Sequence, residues 1–258
     1  MRLVLSSFKA ILFAWILFSN SLSYAGELIR VSSRQAVKVN LFWEAAPNAR
    51  ATVLLFPGGG GGFGQVIDGK PSSGNFLVRS YQHFIAAGLN VAIFGKPSDS
   101  DDLDYEDRIS NLHLYDMQAV LEEVKKQSSA PIWLIGTSRG TISAAHAAIN
   151  LKDKAIAGLV LTASVVSYKK TGAIPTQAIE RISVPTLVVH HNKDACIHCK
   201  PHEVKNIING LKQVPRKELV MVDGGHSPIG DVCQGLHWHG FINHEQATIN
   251  IITSWMQK

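Results

Sequence analysis

The segment from Ile132 to Gly140, which reads Ile-Trp-Leu-Ile-Gly-Thr-Ser-Arg-Gly, constrains the fold more than any other part of the chain. Its four leading apolar residues indicate a buried strand, and the Ala-rich residues that follow predict a helix over 139–150. Ser138 then lies on the tight turn between the two. Gly136 and Gly140 suit this turn, because backbone approaches backbone on both sides of the serine and leaves no room for a Cβ atom. The pattern predicts a serine presented for nucleophilic attack.

Short apolar runs alternate with helix-length segments along the rest of the chain. Alternating patterns at 29–31 and 37–42 predict an antiparallel pair of strands. Further strands are predicted at 52–56, 90–94, 132–135, 157–161, 186–189 and 218–222, and helices near 76–87, 110–127, 139–150, 201–212 and 244–256. This rhythm predicts an α/β fold with a mostly parallel central sheet and helices on both faces.

The first residues predict a secretory signal peptide. Arg2 and Lys9 precede an apolar run that is too short to span a bilayer, and the small residues Ser23 and Ala25 suit cleavage after Ala25. We therefore expect an exported chain, periplasmic or secreted.

Removal of residues 1–25 leaves a single domain at 26–258. Two of the 25 Lys and Arg residues lie in the removed segment, so 23 remain against 20 Asp and Glu, a net charge of +3. So small a charge indicates neither a nucleic-acid partner nor a polybasic membrane protein. The mature chain also has no apolar run of roughly 18 residues, so we expect no membrane span. Composition leaves the oligomeric state open.

The chain has three cysteines, Cys196, Cys199 and Cys233. In an oxidising compartment two of them can pair. Cys196 and Cys199 are spaced as C-x-x-C, but Lys200 stands where haem attachment needs His, and no second pair completes a zinc site. A disulfide between the 196/199 segment and Cys233 is therefore favoured, and we expect no metal and no other cofactor. The alternative is a metal-binding protein that uses His190, His191, Cys196, His198, Cys199 and His202.

Acyl transfer by a serine also needs amide donors for the oxyanion. The run Pro57-Gly-Gly-Gly-Gly-Gly-Phe-Gly64 directly follows a predicted strand, and glycines can turn their N–H groups towards a developing negative charge. A phosphate-binding loop is disfavoured, because neither an immediate helix nor Gly-Lys-Ser/Thr follows. We expect the backbone N–H groups of Gly59 and Arg139 to form the oxyanion hole.

The orienting acid and the base lie later in the chain. Asp194 follows the predicted strand 186–189, which suits the order Ser, Asp, His; Asp223 is the weaker alternative. His226 follows the last predicted strand, whereas His239 lies immediately before the final helix. Spacing alone leaves the choice between these two histidines open, since a long loop after His226 is uncommon but Cys233 could anchor it.

Taken together, four segments resemble the exported alpha/beta-hydrolase-fold proteins of bacteria. They are Gly-Thr-Ser138-Arg-Gly-Thr, Leu-Phe-Pro-Gly-Gly-Gly, His-His-x-x-Asp194-x-Cys196 and Cys233-x5-His239-Gly-Phe. The resemblance implies the alpha/beta-hydrolase fold, His239 as the base with His226 as the alternative, and a disulfide between Cys196 and Cys233. His226 and Cys199 depart from the pattern.

The expected activity is that of a serine hydrolase, carboxylesterase-like, acting through an acyl-enzyme with Ser138, His239 and Asp194 as its triad. Only about fifty-five residues separate Ser138 from Asp194, and a helix, a strand and a linker use most of them, so we expect no large lid. An uncovered site favours a small acyl substrate or the accessible end of a polymer. The rival hypothesis is a non-catalytic binding protein on the same scaffold.

Overall fold

A computed structural model describes residues 26–258, so the predicted signal peptide lies outside the described residues. Its central feature is an eight-stranded sheet of order β1-β2-β6-β3-β7-β8-β9-β10. These strands are Glu27–Ser32 (β1), Lys38–Glu44 (β2), Ala51–Phe56 (β3), Leu89–Pro97 (β6), Ile132–Thr137 (β7), Ile156–Thr162 (β8), Thr186–His191 (β9) and Lys217–Val222 (β10). Val66–Ile67 (β4) and Lys70–Pro71 (β5) form a separate two-stranded sheet.

The sheet is mostly parallel. Strands β3, β6, β7, β8, β9 and β10 pair in parallel, whereas β2 runs antiparallel to both β1 and β6. Every residue of β3, β7 and β9 is buried, as expected for continuous apolar strands covered on both faces. The carboxyl ends of the parallel strands therefore share one edge of the sheet, where the loops that follow them meet.

Within residues 26–258, six α-helices cover the sheet in two layers. They are Phe76–Arg79 (α1), Tyr81–Ala86 (α2), Asn111–Gln127 (α3), Gly140–Asn150 (α4), Lys205–Gly210 (α5) and Glu245–Met256 (α6). Helices α3, α4 and α5 pack into one hydrophobic core, and α1, α2 and α6 pack into the core on the other face. This two-faced arrangement confirms the α/β class predicted from the alternation of apolar runs. None of the described helices is long and apolar enough to cross a membrane.

Two predicted helices differ from the structure. The helix predicted near 76–87 is divided at Ser80, whose φ of −98° and ψ of 1° end α1 before α2 begins. The helix predicted at 201–212 starts as a 3₁₀ turn at Pro201 and becomes regular only at Lys205. Proline supplies no N–H and glycine is a poor helix former, so Pro201 and Gly210 leave only a short helix between them.

The β8 to β9 connection contains no α-helix. Residues 163–185, all of them described, hold two 3₁₀ turns, Ile174–Thr176 and Ile179–Arg181. This agrees with the expectation that no lid domain covers the carboxyl edge of the sheet. By contrast, the β10 to α6 connection, residues 223–244, is long, and its only regular element is the 3₁₀ turn Trp238–Gly240.

A buried ion pair fastens the β1–β2 hairpin to α3. The carboxylate of Asp116 accepts hydrogen bonds from Ser33 and from the guanidinium of Arg34, at 2.5 to 2.9 Å, and its side chain is 1% exposed. We expect Asp116→Ala to lower the free energy of unfolding by about 2–3 kcal/mol, because Ser33 loses its acceptor and Arg34 keeps only its more exposed pair with Asp99. Urea denaturation at pH 7 measures the change.

The matched control is Glu122→Ala on the same helix, where the carboxylate is about half exposed in its pair with Lys125. Exposed pairs contribute little, so we expect a change of less than about 0.5 kcal/mol. Equal effects of the two substitutions would contradict this role for Asp116.

Candidate functional site

Ser138 occupies the sharp turn between β7 and α4. Its φ of 51° places it in the left-handed region, which is rare for a residue with a side chain. Its N–H donates to Thr162 O at 3.0 Å, and its carbonyl accepts from both the N–H and the hydroxyl of Thr141. These hydrogen bonds to Thr162 of β8 and Thr141 of α4 hold the backbone of Ser138 in its strained conformation.

Glycine is required on both sides of this turn. A Cβ on Gly136 would contact the backbone of Gly140 at 2.5 Å, and a Cβ on Gly140 would overlap the carbonyl oxygen of Phe56. The end of β3, the end of β7 and the start of α4 therefore touch backbone to backbone. This is the close approach expected from the sequence.

The glycine loop that follows β3 lies against Ser138. A Cβ on Gly58 would come within 2.8 Å of Ser138 Cβ, so the two backbones are in contact. Gly59, Gly61 and Gly62 have φ values of 58°, 81° and 78°, conformations that favour glycine. Gly59 and Arg139, the residues expected to supply oxyanion donors, line the same cavity as Ser138.

Arg108 lies beneath this loop and was not singled out by the sequence analysis. Its guanidinium donates to the carbonyl oxygens of Gly59, Pro57 and Leu103 at 3.1, 3.4 and 3.0 Å, and to Ser143 Oγ at 3.0 Å. The residue is 1% exposed, and among the described residues it forms no ion pair with a carboxylate. Burial, together with the nearby charge of Arg139, lowers the pKa of Arg108 to about 9. The loop thus rests on a buried cation.

Asp194 and His239 meet although they are 45 residues apart. His239 Nδ1 lies 2.9 Å from Asp194 Oδ2, and the two residues are 3% and 4% exposed. Because an ionised carboxylate can only accept, Nδ1 carries the proton and Nε2 of a neutral ring is unprotonated. Nε2 is buried and has no hydrogen-bond partner among the described residues.

The other contacts of Asp194 fix its carboxylate. Its Oδ1 accepts from the N–H of Cys196 at 2.9 Å, and His190 Nε2 lies 3.3 Å from Oδ2. Burial raises the pKa of Asp194, but the hydrogen bonds from His190 and His239 outweigh burial and lower it from 3.8 to about 2. The group is therefore an anion at neutral pH.

A disulfide joins Cys196, two residues after Asp194, to Cys233, six residues before His239. It ties the turn after β9 to the long connection between β10 and α6. The pairing is the one implied by the family resemblance. Cys199 remains a free, buried thiol.

Ser138, His239, the glycine loop and the three cysteines line one cavity of about 760 Å³ at the carboxyl edge of the sheet. The lining also includes Tyr105, whose ring centroid lies 4.8 Å from Lys170 Nζ and 5.5 Å from the guanidinium carbon of Arg139. The cavity is lined, among others, by Gly58, Gly59, Ser138, Arg139, Cys196, Cys199, Cys233 and His239.

His226 and Asp223, the alternatives to His239 and Asp194, are not among the residues that line the cavity. His226 is exposed, and its ring contacts Ser227 and Asn243. Asp223 is also exposed and accepts from Asn192 at 2.6 Å. The geometry therefore supports His239 over His226 and Asp194 over Asp223.

The metal-binding hypothesis finds little support in the described residues. Only Cys196, Cys199 and His239 bring three ligand atoms within 4.8 Å of one another. The sulfur of Cys196 is already bonded to Cys233, which leaves no thiolate there for a metal. His202 points to solvent, with 76% of its side chain exposed.

The comparisons with solved structures show the fold. An esterase from Pyrococcus furiosus matches with a TM-score of 0.63 and 16% identity, over 97% of each chain. A serine hydrolase without a lid from Xanthomonas campestris matches with a TM-score of 0.59 and 13% identity, over 88% of this chain and 94% of the other. An alpha-beta serine hydrolase homologue from Coxiella burnetii, at 18% identity and a TM-score of 0.58, covers 91% and 98%.

With these neighbours and its mostly parallel sheet, the chain has the alpha/beta-hydrolase fold, and no lid domain covers the sheet within residues 26–258. No protein-family model matches it, and no curated protein matches it at significance.

The depressed pKa of Asp194 makes a part of the stability depend on pH. The carboxylate stabilises the folded state fully above the unfolded pKa of about 4, and this contribution is lost as the pH falls through about 2. We expect this one group to account for about 2 kcal/mol of the loss in unfolding free energy between pH 5 and pH 2. Urea denaturation as a function of pH, with the parent and Asp194→Asn, measures it.

In Asp194→Asn this share of the acid dependence should vanish. The exposed carboxylate of Asp68, replaced in the same way, serves as the control and should leave the acid dependence of the parent in place. Identical pH profiles for the parent and Asp194→Asn would refute the assignment.

Proposed function

We propose that the protein is a serine hydrolase that cleaves carboxylic esters through an acyl-enzyme. One observation carries the proposal, the position of the buried imidazole of His239. Its Nδ1 forms a hydrogen bond with Asp194, and its Nε2 has no hydrogen-bond partner among the described residues. The ring lines the cavity that also holds Ser138. This is the arrangement that a base needs in order to take a proton from a serine hydroxyl. The fold it shares with known esterases supports the same reaction class.

The proposed reaction has two halves. His239 Nε2 removes the proton of Ser138, the alkoxide attacks the ester carbonyl, and the carbonyl oxygen becomes an oxyanion that accepts from the N–H groups of Gly59 and Arg139. Asp194 stabilises the imidazolium. The tetrahedral intermediate collapses when His239 returns the proton to the leaving alcohol, and water then releases the acid by the same steps.

The cavity favours a small ester or the exposed end of a longer one. Its volume of about 760 Å³ lies within the range of small-molecule sites, and no lid domain covers it. The disulfide supports a role in an oxidising compartment, in agreement with the proposed export after cleavage near Ala25.

The hydroxyl of Ser138 is the first test. We expect Ser138→Ala to lower the kcat for a short p-nitrophenyl ester at least about a thousandfold, since the attacking atom is lost. We also expect a fluorophosphonate probe to add one mass adduct, on Ser138 of the parent. Turnover of Ser138→Ala at the parent rate, or absence of the adduct, would favour a non-catalytic binding protein.

The two candidate bases provide a matched pair of controls. His239→Asn should lose turnover as severely as Ser138→Ala, whereas His226→Asn should retain it within about twofold, because His226 is exposed and outside the cavity. The reverse order of these effects would place the base on His226.

Arg108 acts in this proposal as a positioning residue. By donating to the carbonyl oxygens of Pro57 and Gly59 it holds the glycine loop, and with it the Gly59 N–H that we propose as an oxyanion donor. We expect Arg108→Met to lower kcat roughly tenfold to a hundredfold with little change in KM, because the loss concerns the transition state. Steady-state kinetics on the folded variants measure the two constants.

Arg108→Lys is the conservative variant and should recover part of the kcat, since it keeps the charge and a donor. Circular dichroism and thermal unfolding show whether each variant is folded. A rise in KM with kcat unchanged, or the same kcat for the Lys and Met variants, would contradict the positioning role.

A further inference from the structure

A free thiol lies next to the disulfide in the cavity. Cys196 and Cys199 occupy one turn after β9, where the N–H of Cys199 donates to Cys196 O at 3.0 Å. The sulfur atoms of these two residues and a ring nitrogen of His239 all lie within 4.8 Å of one another. Cys196 is bonded to Cys233, so the thiol of Cys199 faces a disulfide sulfur at close range.

We propose that these groups form a thiol–disulfide exchange site, in which Cys199 attacks Cys196 and releases Cys233. The thiolate of Cys199 forms a new bond to Cys196 Sγ, the bond between Cys196 and Cys233 breaks, and the electron pair leaves on Cys233 Sγ. The proton lost by Cys199 is balanced by the proton that Cys233 takes up. One disulfide and one thiol stand on each side, so the step needs no oxidant or reductant.

The surroundings of the three sulfurs suit this direction of exchange. Cys196 and Cys199 are three positions apart in a turn, and His190 Nε2, which bonds Cys199 O at 2.8 Å, holds that turn against β9. Cys199 is 1% exposed, whereas Cys233 is partly exposed, so the thiol that leaves gains access to water. The exchange moves the reactive thiol from the interior to the surface.

The rate of exchange is limited by the protonation of Cys199. Burial raises the pKa of the Cys199 thiol well above its usual range, and the negative charge of Asp194 raises it further, while a hydrogen bond with Ser138 opposes both. The thiolate is the nucleophile, so exchange is slow at neutral pH and faster in alkaline solution.

The consequence for hydrolysis, which rests on the proposed function, concerns the base. The bond between Cys196 and Cys233 joins the turn that carries Asp194 to the segment that carries His239. After exchange this covalent tether is gone. The new disulfide between Cys196 and Cys199 lies entirely within the turn that carries Asp194 and does not reach the segment that carries His239. Exchange therefore weakens the hold on the base and lowers ester turnover.

Disulfide mapping of the native protein tests the exchange without any ester substrate. The full-length mature chain is incubated at pH 8.5 with N-ethylmaleimide and no reductant, then acidified and digested at lysine. Cys196 and Cys199 both lie between Lys193 and Lys200, whereas Cys233 lies beyond Lys217, so the two pairings give different peptides. We expect a growing fraction with the adduct on Cys233 and an internal link between Cys196 and Cys199.

Cys199→Ser is the control, because it removes the attacking sulfur. It should keep the bond between Cys196 and Cys233, take no adduct, and retain its own starting turnover through the same treatment, while the parent loses turnover as the adduct accumulates. Persistence of the original bond in the parent, with Cys199 either unmodified or carrying the adduct itself, would overturn the proposal. Because the mapping does not depend on ester cleavage, a failure of the hydrolase proposal alone would leave this result unchanged.

Discussion

The left-handed backbone of Ser138 is the constraint on which the rest of the site depends. A serine with a φ of 51° persists only where neighbouring groups fix it. Here β8 and α4 hold it by hydrogen bonds, and the end of β3 packs against the same turn. The carbonyl of Phe56 occupies the space that a side chain on Gly140 would need, which brings the end of β3 against the start of α4. The glycine loop after β3 is thereby placed beside the serine hydroxyl. The same backbone contacts therefore determine both the packing of these elements and the geometry of the site.

Two buried charges flank this turn, and each faces a different part of the proposed reaction. Arg108 lies beneath the glycine loop and, among the described residues, forms no ion pair with a carboxylate, whereas Asp194 lies behind His239 as an anion. Burial of an unpaired cation costs stability, which its hydrogen bonds to carbonyl oxygens offset only in part. In the proposed mechanism an oxyanion forms near the cation and an imidazolium forms near the anion. The charges missing from the resting site are therefore those that the reaction creates.

Much of this arrangement could be predicted from local patterns. Continuous apolar runs located the parallel strands, and the spacing of Gly136 and Gly140 located the turn at Ser138, because both depend on residues close in sequence. Arg108 could not be found in this way: a single arginine in an acidic, polar stretch looks like any exposed charge, and only tertiary packing buries it. From the residues alone, which of Cys196 and Cys199 pairs with Cys233, and so which thiol stays free, likewise depends on how two distant segments meet. The division of the predicted 76–87 helix at Ser80 could not be predicted either, because the apolar periodicity continues across that residue.

The proposed base, His239 rather than His226, shows what a covalent tether contributes to a long loop. Loops longer than about 15 residues without regular structure are uncommon in a compact domain, and a base carried on one would be poorly fixed. The disulfide closes a separation of 37 residues, which in the chain-entropy model stabilises the folded state by about 4 kcal/mol. His239 lies after the anchored cysteine, within the 3₁₀ turn that precedes α6, whereas His226 lies before that cysteine on an exposed stretch. The tether therefore allows the residue farther along the chain to be the one that is held against Asp194.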